Sequence, residues 1–292
     1  MDEALRLVFR RHWAEDAQQL ESLHQALLPP QSAEPLSATA LLAAYRSDRL
    51  TGAVLVQVQP GKTGILWPPQ LVGSEPLSTQ QALLDAASRL FQTRGVGMAQ
   101  VLLRQGSETE EQSLRQGGFY RLAQLLYLVS LDRDFPRSPP QTTISFRPYR
   151  PAEYSRLVQL VQSTYEQTLD CPGLNGIRDV EDVLAGYRSG GAFDADLWLI
   201  ASHANSDVGC LLLTGHDAEA AGELSYMGIV PAARGHGWGQ QMARYAQWLM
   251  RKRNYSRLVL AVDAANGPAV RMYAGAGFQV WDQRIVYVKI FP

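Results

Sequence analysis

Along the second half of the chain the apolar positions change period several times, and each change marks an element. "TTISFRPYR" (142–150) alternates as a half-buried strand does, and Pro151 then opens a helix with an apolar stripe of Tyr154, Leu157, Val158 and Val161. Asp179 suits the N-cap of a second helix that runs through Val183 and Leu184. "LWLIAS" (197–202) and "VGCLLLTG" (208–215) read as two strands joined by the polar turn "HANSD". "ELSYMGIVP" is a further strand that stops at Pro231. After a glycine-rich turn, Met242, Tyr245, Ala246, Leu249 and Met250 fall at helical spacing and predict a helix with one buried face. "RLVLAV" (257–262) is apolar without alternation, as expected of a strand covered on both faces. A short helix around "PAVRMYAGAGF" and a closing hairpin complete the order β, α, α, β, β, β, α, β, α, β, β.

The first half repeats this pattern weakly but in step. "RSDRLTGAVLVQV" resembles "HANSDVGCLLLTG" and sets Gly52 over Gly209, an offset of 157. "GILWPPQLV" resembles "GELSYMGIV" and sets Gly64 over Gly222 at 158; "SLRQGGF" resembles "RMYAGAGF" and sets Phe119 over Phe278 at 159. Three matches in order with a drift of two residues point to a duplicated fold. Between the copies, "LDRDFPRSPPQTT" (131–143) carries three prolines and mixed charge, as linkers do.

Composition narrows the function classes. The chain has 292 residues, 46% hydrophobic and 19% charged, enough for two ordinary cores. A formal net charge of −1 supplies no general attraction to nucleic acid or to an anionic membrane, so neither is expected as a partner. "MDEALRLVFRRHW" is broken by Arg6, Arg10 and Arg11 before a signal-type apolar core forms, and no segment has the length of a membrane span; the expected location is cytoplasmic. The two cysteines, Cys171 and Cys210, build no disulfide framework and read as reduced thiols. His12, His24, His203 and His216 show no metal spacing, and no metal is expected.

The strongest chemical signal is "IVPAARGHGWGQQ" (229–241), where Gly235, Gly237 and Gly239 stand at the start of a helix. A glycine inside a helical turn costs about 1 kcal/mol relative to alanine, so three call for a compensating reason. A strand entering a helix through such a turn leaves the first helical N–H groups without partners in a region of positive potential. Glycines let anionic oxygens approach that backbone closely. The dinucleotide fingerprint needs a further glycine where Gln240 stands, and no Lys-Ser or Lys-Thr follows as in a Walker loop. The pattern fits a diphosphate presented in another way, or a close-packed turn with no ligand.

"VPAARGHGWGQQM" resembles the acyl-CoA pyrophosphate loop of the GNAT N-acetyltransferase superfamily, through Arg234, Gly237 and Gly239. "VDAANGPAVRMYAGAGF" is similar to that family's second signature, through Asn266, Tyr273, Gly277 and Phe278. The tandem layout and "LDCPGLNGIR" also look similar to mycothiol-synthase-like proteins. The resemblance implies an α/β (α+β) fold of two tandem GNAT-like domains, each a mixed, mostly antiparallel sheet flanked by helices. Residues 1–136 would be a degenerate copy and residues 143–292 the catalytic domain. The sheet of the latter would splay between the strands ending at Val230 and Val262, with pantetheine in the gap. Acetyl-CoA is the implied co-substrate, and a small-molecule or peptide amine the implied acceptor, with the oligomeric state open.

Acetyl transfer to an amine needs a base, since lysine-type amines titrate near 10.4. Glu223 is the candidate, predicted to share a face with Ser225, Met227 and Ile229 by alternation; the bland reading is a solvated strand glutamate. Tyr273 is the candidate acid for the departing thiolate, against a tyrosine packed in the core. Backbone N–H groups near Ile229 and Val230 would polarise the thioester oxygen, and those from Gly235 through His236, Gly237, Trp238 and Gly239 to Gln240 would hold the pyrophosphate. His236 is expected to face solvent and Trp238 to pack in the core or beside adenine. Asn266 suits pantetheine binding or a helix cap equally. Cys171 reads as structural, and the acids Asp179, Glu181 and Asp182 as a helix first turn or a lure for a cationic acceptor. In the first half Glu223 falls on Ile65, Gly237 on Thr79, Gly239 on Gln81 and Tyr273 on Leu114, so that copy is expected to be silent. The contrasting reading of the whole is a non-catalytic acyl-CoA-binding protein with the same fold.

Overall fold

A computed structural model describes residues 39–46, 49–106 and 108–292. The N-terminal stretch 1–13, His12 and His24 lie outside the described residues. The chain divides into two compact units: the described residues up to Leu122 together with Ile285–Pro292, and Ala123–Arg284.

In chain order the elements are β1 (Thr39–Arg46), β2 (Arg49–Gln59), β3 (Thr63–Leu66), β4 (Gln70–Leu71), α1 (Leu77–Thr93), β5 (Met98–Leu103), α2 (Glu108–Gln116) and β6 (Tyr120–Leu131). There follow β7 (Ser145–Pro148), α3 (Tyr154–Tyr165), α4 (Val180–Ser189), β8 (Trp198–His203), β9 (Ser206–His216), β10 (Ala221–Ile229), α5 (Trp238–Lys252), β11 (Arg257–Asp263), α6 (Gly267–Gly275) and β12 (Gln279–Ile290). The predicted order holds with one correction: the chain closes with a single long strand, not a hairpin. "QVWDQRIVYVKI" contains no glycine, proline or asparagine to turn on.

The first unit is a sheet in the order β1, β2, β3, β5 and the Ile285–Ile290 part of β12. Leu83, Leu84, Ala87 and Phe91 of α1 pack on Val54, Val56, Val101 and Tyr287. A Cβ on Gly64 would lie 2.5 Å from the Phe91 ring, so glycine is what lets the helix settle on β3.

The second unit pairs β6, β11, β10, β9, β8 and β7 in that order. Two cores cover it. Met242, Ala243, Ala246 and Met250 of α5 bury against Leu211, Leu213, Leu224, Leu258 and Leu260, while Leu157, Leu160 and Val161 of α3 bury against Ile200, Cys210 and Leu212. The two sets of strand residues alternate, as period-two geometry requires of a sheet covered on both faces. Coverage is not complete on β11: Leu258, Leu260 and Val262 are buried, but Val259 is half-buried and Ala261 exposed, so this strand is covered on one face only. The stretch 131–143 is packed where a loose linker was expected. Phe135 is buried, Arg251 donates to its carbonyl at 3.0 Å, and Arg244 donates to the Asp134 carbonyl at 3.1 Å.

The duplication is visible in the strand registers. Gln57 pairs with Ile65 as Thr214 pairs with Glu223, offsets of 157 and 158; Gly64 pairs with Ala99 as Gly222 pairs with Leu258, offsets of 158 and 159. Leu102 pairs with Val286 as Ala261 pairs with Tyr127. The last correspondence crosses over: each unit receives its final strand from the other half of the sequence.

Candidate functional site

The site begins where two strands separate. β10 and β11 run parallel but pair only at Ala221, Gly222 and Glu223 with Arg257, Leu258 and Val259. Beyond Glu223, β10 keeps its pairing with β9 while its other edge is free of β11. A bulge at Ser225 accompanies the divergence, since Leu224 pairs with Leu213 but Tyr226 with Leu212. The extra residue reverses the alternation. Glu223 and Ser225 remain on the Thr214 side, where the two hydroxyls of Thr214 and Ser225 lie 2.7 Å apart, but Met227 and Ile229 turn to the opposite face with Leu224. The expected four-residue face is thereby corrected to two.

The strand edge has a definite polarity. Val230 donates its N–H to the Val208 carbonyl at 3.0 Å, so that group is engaged within the sheet. By strand alternation the N–H groups of Met227 and Ile229 point the other way, toward the gap. At its far end the gap meets the glycine turn. Gly235 and Gly237 have φ of 86° and 73°, in the left-handed region, and a Cβ on either would meet nothing within 4 Å. Gly237 is the N-cap of α5, no side chain caps the helix, and its first turn holds no acidic residue. The unpartnered N–H groups at this end therefore face open space.

The side chains of the turn build it rather than line it. Arg234 donates from Nε to the Ile229 carbonyl at 3.1 Å, from Nη1 to Gln167 at 3.1 Å, and from Nη2 to Thr164 at 2.9 Å and Glu166 at 2.8 Å. Its guanidinium thus fastens the turn to the C-terminus of α3, where free carbonyls attract a cation. Trp238 is buried in the core, with Nε1 donating to Thr143 Oγ1 at 3.1 Å. His236 is exposed and stacks on Trp238, centroids 4.7 Å apart. A Cβ on Gly239 would come into ordinary contact with Met272 and Ile229, and Gln240 Nε2 donates to the Gly275 carbonyl at 3.1 Å.

Glu223 sits at the root of the gap. Its carboxylate is partly exposed, and Oε2 lies 3.1 Å from Nε2 of His216. That bond, with the Glu223 charge, outweighs burial and raises the imidazole above its ordinary value. At the other end of the open stretch, Asn266 Oδ1 accepts the Ala269 N–H at 3.3 Å and so caps α6. Tyr273, on α6, is buried against Phe278. Burial first, then the charge of Asp170, pushes its phenol well above the ordinary range. Asp170 accepts the Asp263 N–H at 2.9 Å, and Cys171 donates its N–H to Asp263 Oδ2 at 3.2 Å, which ties the segment after α3 to the end of β11. Burial raises the Asp170 carboxyl despite its bonds to the Asp263 N–H and the Asn266 side chain. Burial and these two carboxylates push the Cys171 thiol up to about 12, so it stays protonated and unreactive. Asp179 caps α4, accepting from Glu181 N–H at 2.7 Å.

The structure therefore brings the turn, Asn266 and Tyr273 to one end of the gap and sets Glu223 at the other. His216 and Asp170 were not singled out from the sequence as parts of the site. The hairpin register that sets His216 two residues along from Thr214 was the available signal for the first; nothing local marked the second. Among the described residues no group of three or more His, Cys, Asp or Glu is placed to hold a metal, and no helix is long and apolar enough to cross a membrane.

Residues 157–278 match the model of the acetyltransferase (GNAT) family. Mycothiol acetyltransferase of Acidothermus cellulolyticus is 34% identical over 76 residues, 26% of this chain and 23% of that protein. The enzyme of the same description from Streptosporangium roseum is 35% identical over 75 residues, 26% of this chain and 22% of that protein. The matches thus span about a quarter of the length of these relatives. Among solved structures, a GCN5-related N-acetyltransferase from Sphaerobacter thermophilus superposes over 94% of this chain and 86% of its own, with a TM-score of 0.62 at 17% identity. A GCN5-related glucosamine N-acetyltransferase region of a fungal multi-domain β-N-acetylglucosaminidase covers 86% of this chain and 33% of its own, with a TM-score of 0.60 at 16% identity. The fold is that of these proteins, and residues 157–278 form a domain of the acetyltransferase (GNAT) family.

Proposed function

We propose that the second half of the chain transfers an acetyl group from acetyl-CoA to a primary amine by direct attack on the thioester. The observation that carries this reading is the gap that opens beyond Glu223 and Val259 and ends on the uncapped N-terminus of α5. The N–H groups from Gly235 to Gln240 would hold the pyrophosphate, and the pantetheine arm would lie along the free edge of β10. With the Val230 N–H engaged, Ile229 and Met227 are the donors left to polarise the thioester oxygen. Glu223 would take the proton that the attacking amine loses, and Tyr273, kept protonated by burial, would give one to the thiolate. Asn266 serves as a cap, so its part in cofactor binding is to fix the start of α6, the helix whose last turn carries Tyr273. The first half would support the fold without turnover. Two unpaired cysteines suit a reducing, cytoplasmic setting.

The test is a calorimetric titration with acetyl-CoA of the wild type and Gly237→Glu. A carboxylate placed at the start of α5, on a residue forced to positive φ, is expected to remove binding. Wild-type binding that the variant loses supports the assignment and opens a screen of primary amines with thiol release as readout. A wild type that does not bind overturns it.

A further inference from the structure

The Glu223 carboxylate does not stand alone. His216 ends β9, pairs in register with Ala221, and directs Nε2 at Glu223 Oε2 across 3.1 Å. The imidazole is the more enclosed partner, with its side chain 27% exposed against 43% for Glu223. Its other side is walled by backbone. The segment after α4 bridges Ala192 to Gly215, and a Cβ on Gly191 would lie 3.2 Å from His216 Cε1, 2.9 Å from the Gly215 carbonyl oxygen and 2.6 Å from Thr214 Cγ2. Only a glycine lets that segment pass so close, and the ring is left with little room to turn from the carboxylate. The charged groups acting on His216 are Glu223 on β10, Glu219 in the turn before it, and Arg257 at the start of β11. The Tyr127 phenol on β6 lies within electrostatic reach of Glu223.

We propose that His216 is a positioning and proton-relay residue for acyl transfer, holding the Glu223 carboxylate at the root of the gap and passing its proton to solvent. The proposal rests on the reading of Glu223 as the base. The acceptor ammonium loses one N–H proton to Glu223 and keeps the electron pair on nitrogen for attack; the second N–H proton, lost as the C–S bond breaks and the amide forms, replaces the one that Tyr273 gives to the thiolate. The new carboxyl O–H proton then moves to Nε2 of the Nδ1–H imidazole, the imidazolium releases its Nδ1–H proton to water, and exchange with solvent at the part-exposed ring restores the Nδ1–H tautomer before the next turnover. Glu223 is restored as a carboxylate, and no proton accumulates in the site. While His216 is protonated, its Nε2–H is already donated to Glu223 and the relay is blocked, so the reaction speeds up as the imidazole loses its proton.

The experiment uses full-length protein, acetyl-CoA and the best acceptor from a screen of primary amines. It compares the pH profiles of kcat/KM for wild type, His216→Asn and Glu223→Gln, with an NMR titration of the His216 Cε1–H. Wild type is expected to show an acid limb with a midpoint above 6.5, the usual histidine value. The NMR midpoint should match it and fall in Glu223→Gln. His216→Asn, which can still hydrogen-bond the carboxylate, should lose that limb and up to about 100-fold in rate, with acetyl-CoA affinity kept. Loss of activity in Glu223→Gln with an unchanged rate and profile in His216→Asn overturns the His216 proposal and leaves the base in place. Full activity in Glu223→Gln, or no amine turned over by wild type, overturns both.

Discussion

The two strand-to-helix joints of the molecule are built on the same scaffold and ended differently. Leu83, Ala87 and Phe91 of α1 stand 159 positions before Met242, Ala246 and Met250 of α5, and all six are buried. At the helix starts the copies part. α5 begins at Gly237 with no side-chain cap and open space around it. α1 begins at Pro76, and the carboxylate of Glu75, which stands 159 positions before Arg234, accepts from Thr79 Oγ1 at 3.0 Å and from Arg46 at 3.1 Å. A carboxylate beside a helix N-terminus is favourable for the same reason that a phosphate is. In the first unit the chain supplies the anion itself; in the second no carboxylate stands in the first turn and no side chain caps it. Apolar helix positions are held by the core they fill, whereas a Cβ on Gly235 or Gly237 would meet nothing within 4 Å, so packing does not fix those two positions.

The widest separation of the copies is expected from Tyr273 and its counterpart Leu114. Tyr273→Phe keeps the buried ring and removes the hydroxyl. It should lower kcat by about 10²- to 10⁴-fold, with acetyl-CoA affinity unchanged, because a general acid contributes in that range. Leu114, 1% exposed, has only a packing role. Leu114→Ala should cost about 2–5 kcal/mol in denaturant unfolding while leaving the turnover of folded molecules as it was. A Tyr273→Phe enzyme at full rate would remove the acid from the mechanism.

Arg234 comes next. A guanidinium bonded to four carbonyls, one from β10 and three from the end of α3 or just beyond it, couples the turn to the segment that follows α3. Arg234→Ala should cost about 1.5–3 kcal/mol and weaken acetyl-CoA binding, since charged hydrogen bonds of this kind are worth that much. Arg234→Lys should recover little, because an ammonium lacks the planar fork. Calorimetry and urea unfolding of the three proteins check it; a lysine variant as stable as wild type would show that charge alone suffices.

Local pattern carried most of the fold. The stripe of Met242, Ala246 and Met250 and the alternation in β8 and β9 are properties of neighbouring residues, and the glycines of 235–239 announce a turn that something approaches. Features that depend on a distant partner were hidden. The exchange of final strands was one, because "RLAQLLYLVSL" suits the edge of either β5 or β11 and no residue within it names the neighbour. Ser225 gave no bulge signal, so the face of Met227 and Ile229 came out reversed. Arg234 stood out only as the residue that opens the loop motif, and its position there does not reveal that carbonyls at the end of α3 lie within its reach. The single long β12 was missed because the polar run Asp282–Arg284 interrupts its apolar positions; in the fold the Asp282 charge is paired with Arg284 at 2.7 Å and the strand runs through.

A smaller effect distinguishes Asp170, which has no carboxylate counterpart in the described first unit. Its folded pKa is raised by burial, so the neutral form is favoured in the native state. That contribution to stability is complete below the ordinary carboxylate range and is lost as pH rises through the raised value. Asp170→Asn keeps an oxygen for the Asp263 N–H and removes the buried charge. The variant should match or fall slightly below wild type in Tm at acid pH and gain on it toward neutrality. Melting curves across pH decide it, and parallel curves would mean that Asp170 titrates alike in the folded and unfolded chain.

The smallest expected change is at Glu75, and it bears most directly on why one copy is silent. If the carboxylate at the start of α1 were all that excluded a phosphate, Glu75→Ala would open a second site and calorimetry would count two acetyl-CoA molecules per chain. The backbone argues otherwise. Pro76 is the N-cap with φ of −70°, Thr79 lies buried in the first turn, and neither gives the left-handed turn that Gly235 and Gly237 provide. Without left-handed residues at the helix start, freed N–H groups alone bind anions weakly, and salt screens what attraction remains. The expected stoichiometry of Glu75→Ala therefore stays at one, with the affinity of the wild type. A second, weaker binding step would show that the scaffold of the first unit still holds the site and that one side chain keeps it closed.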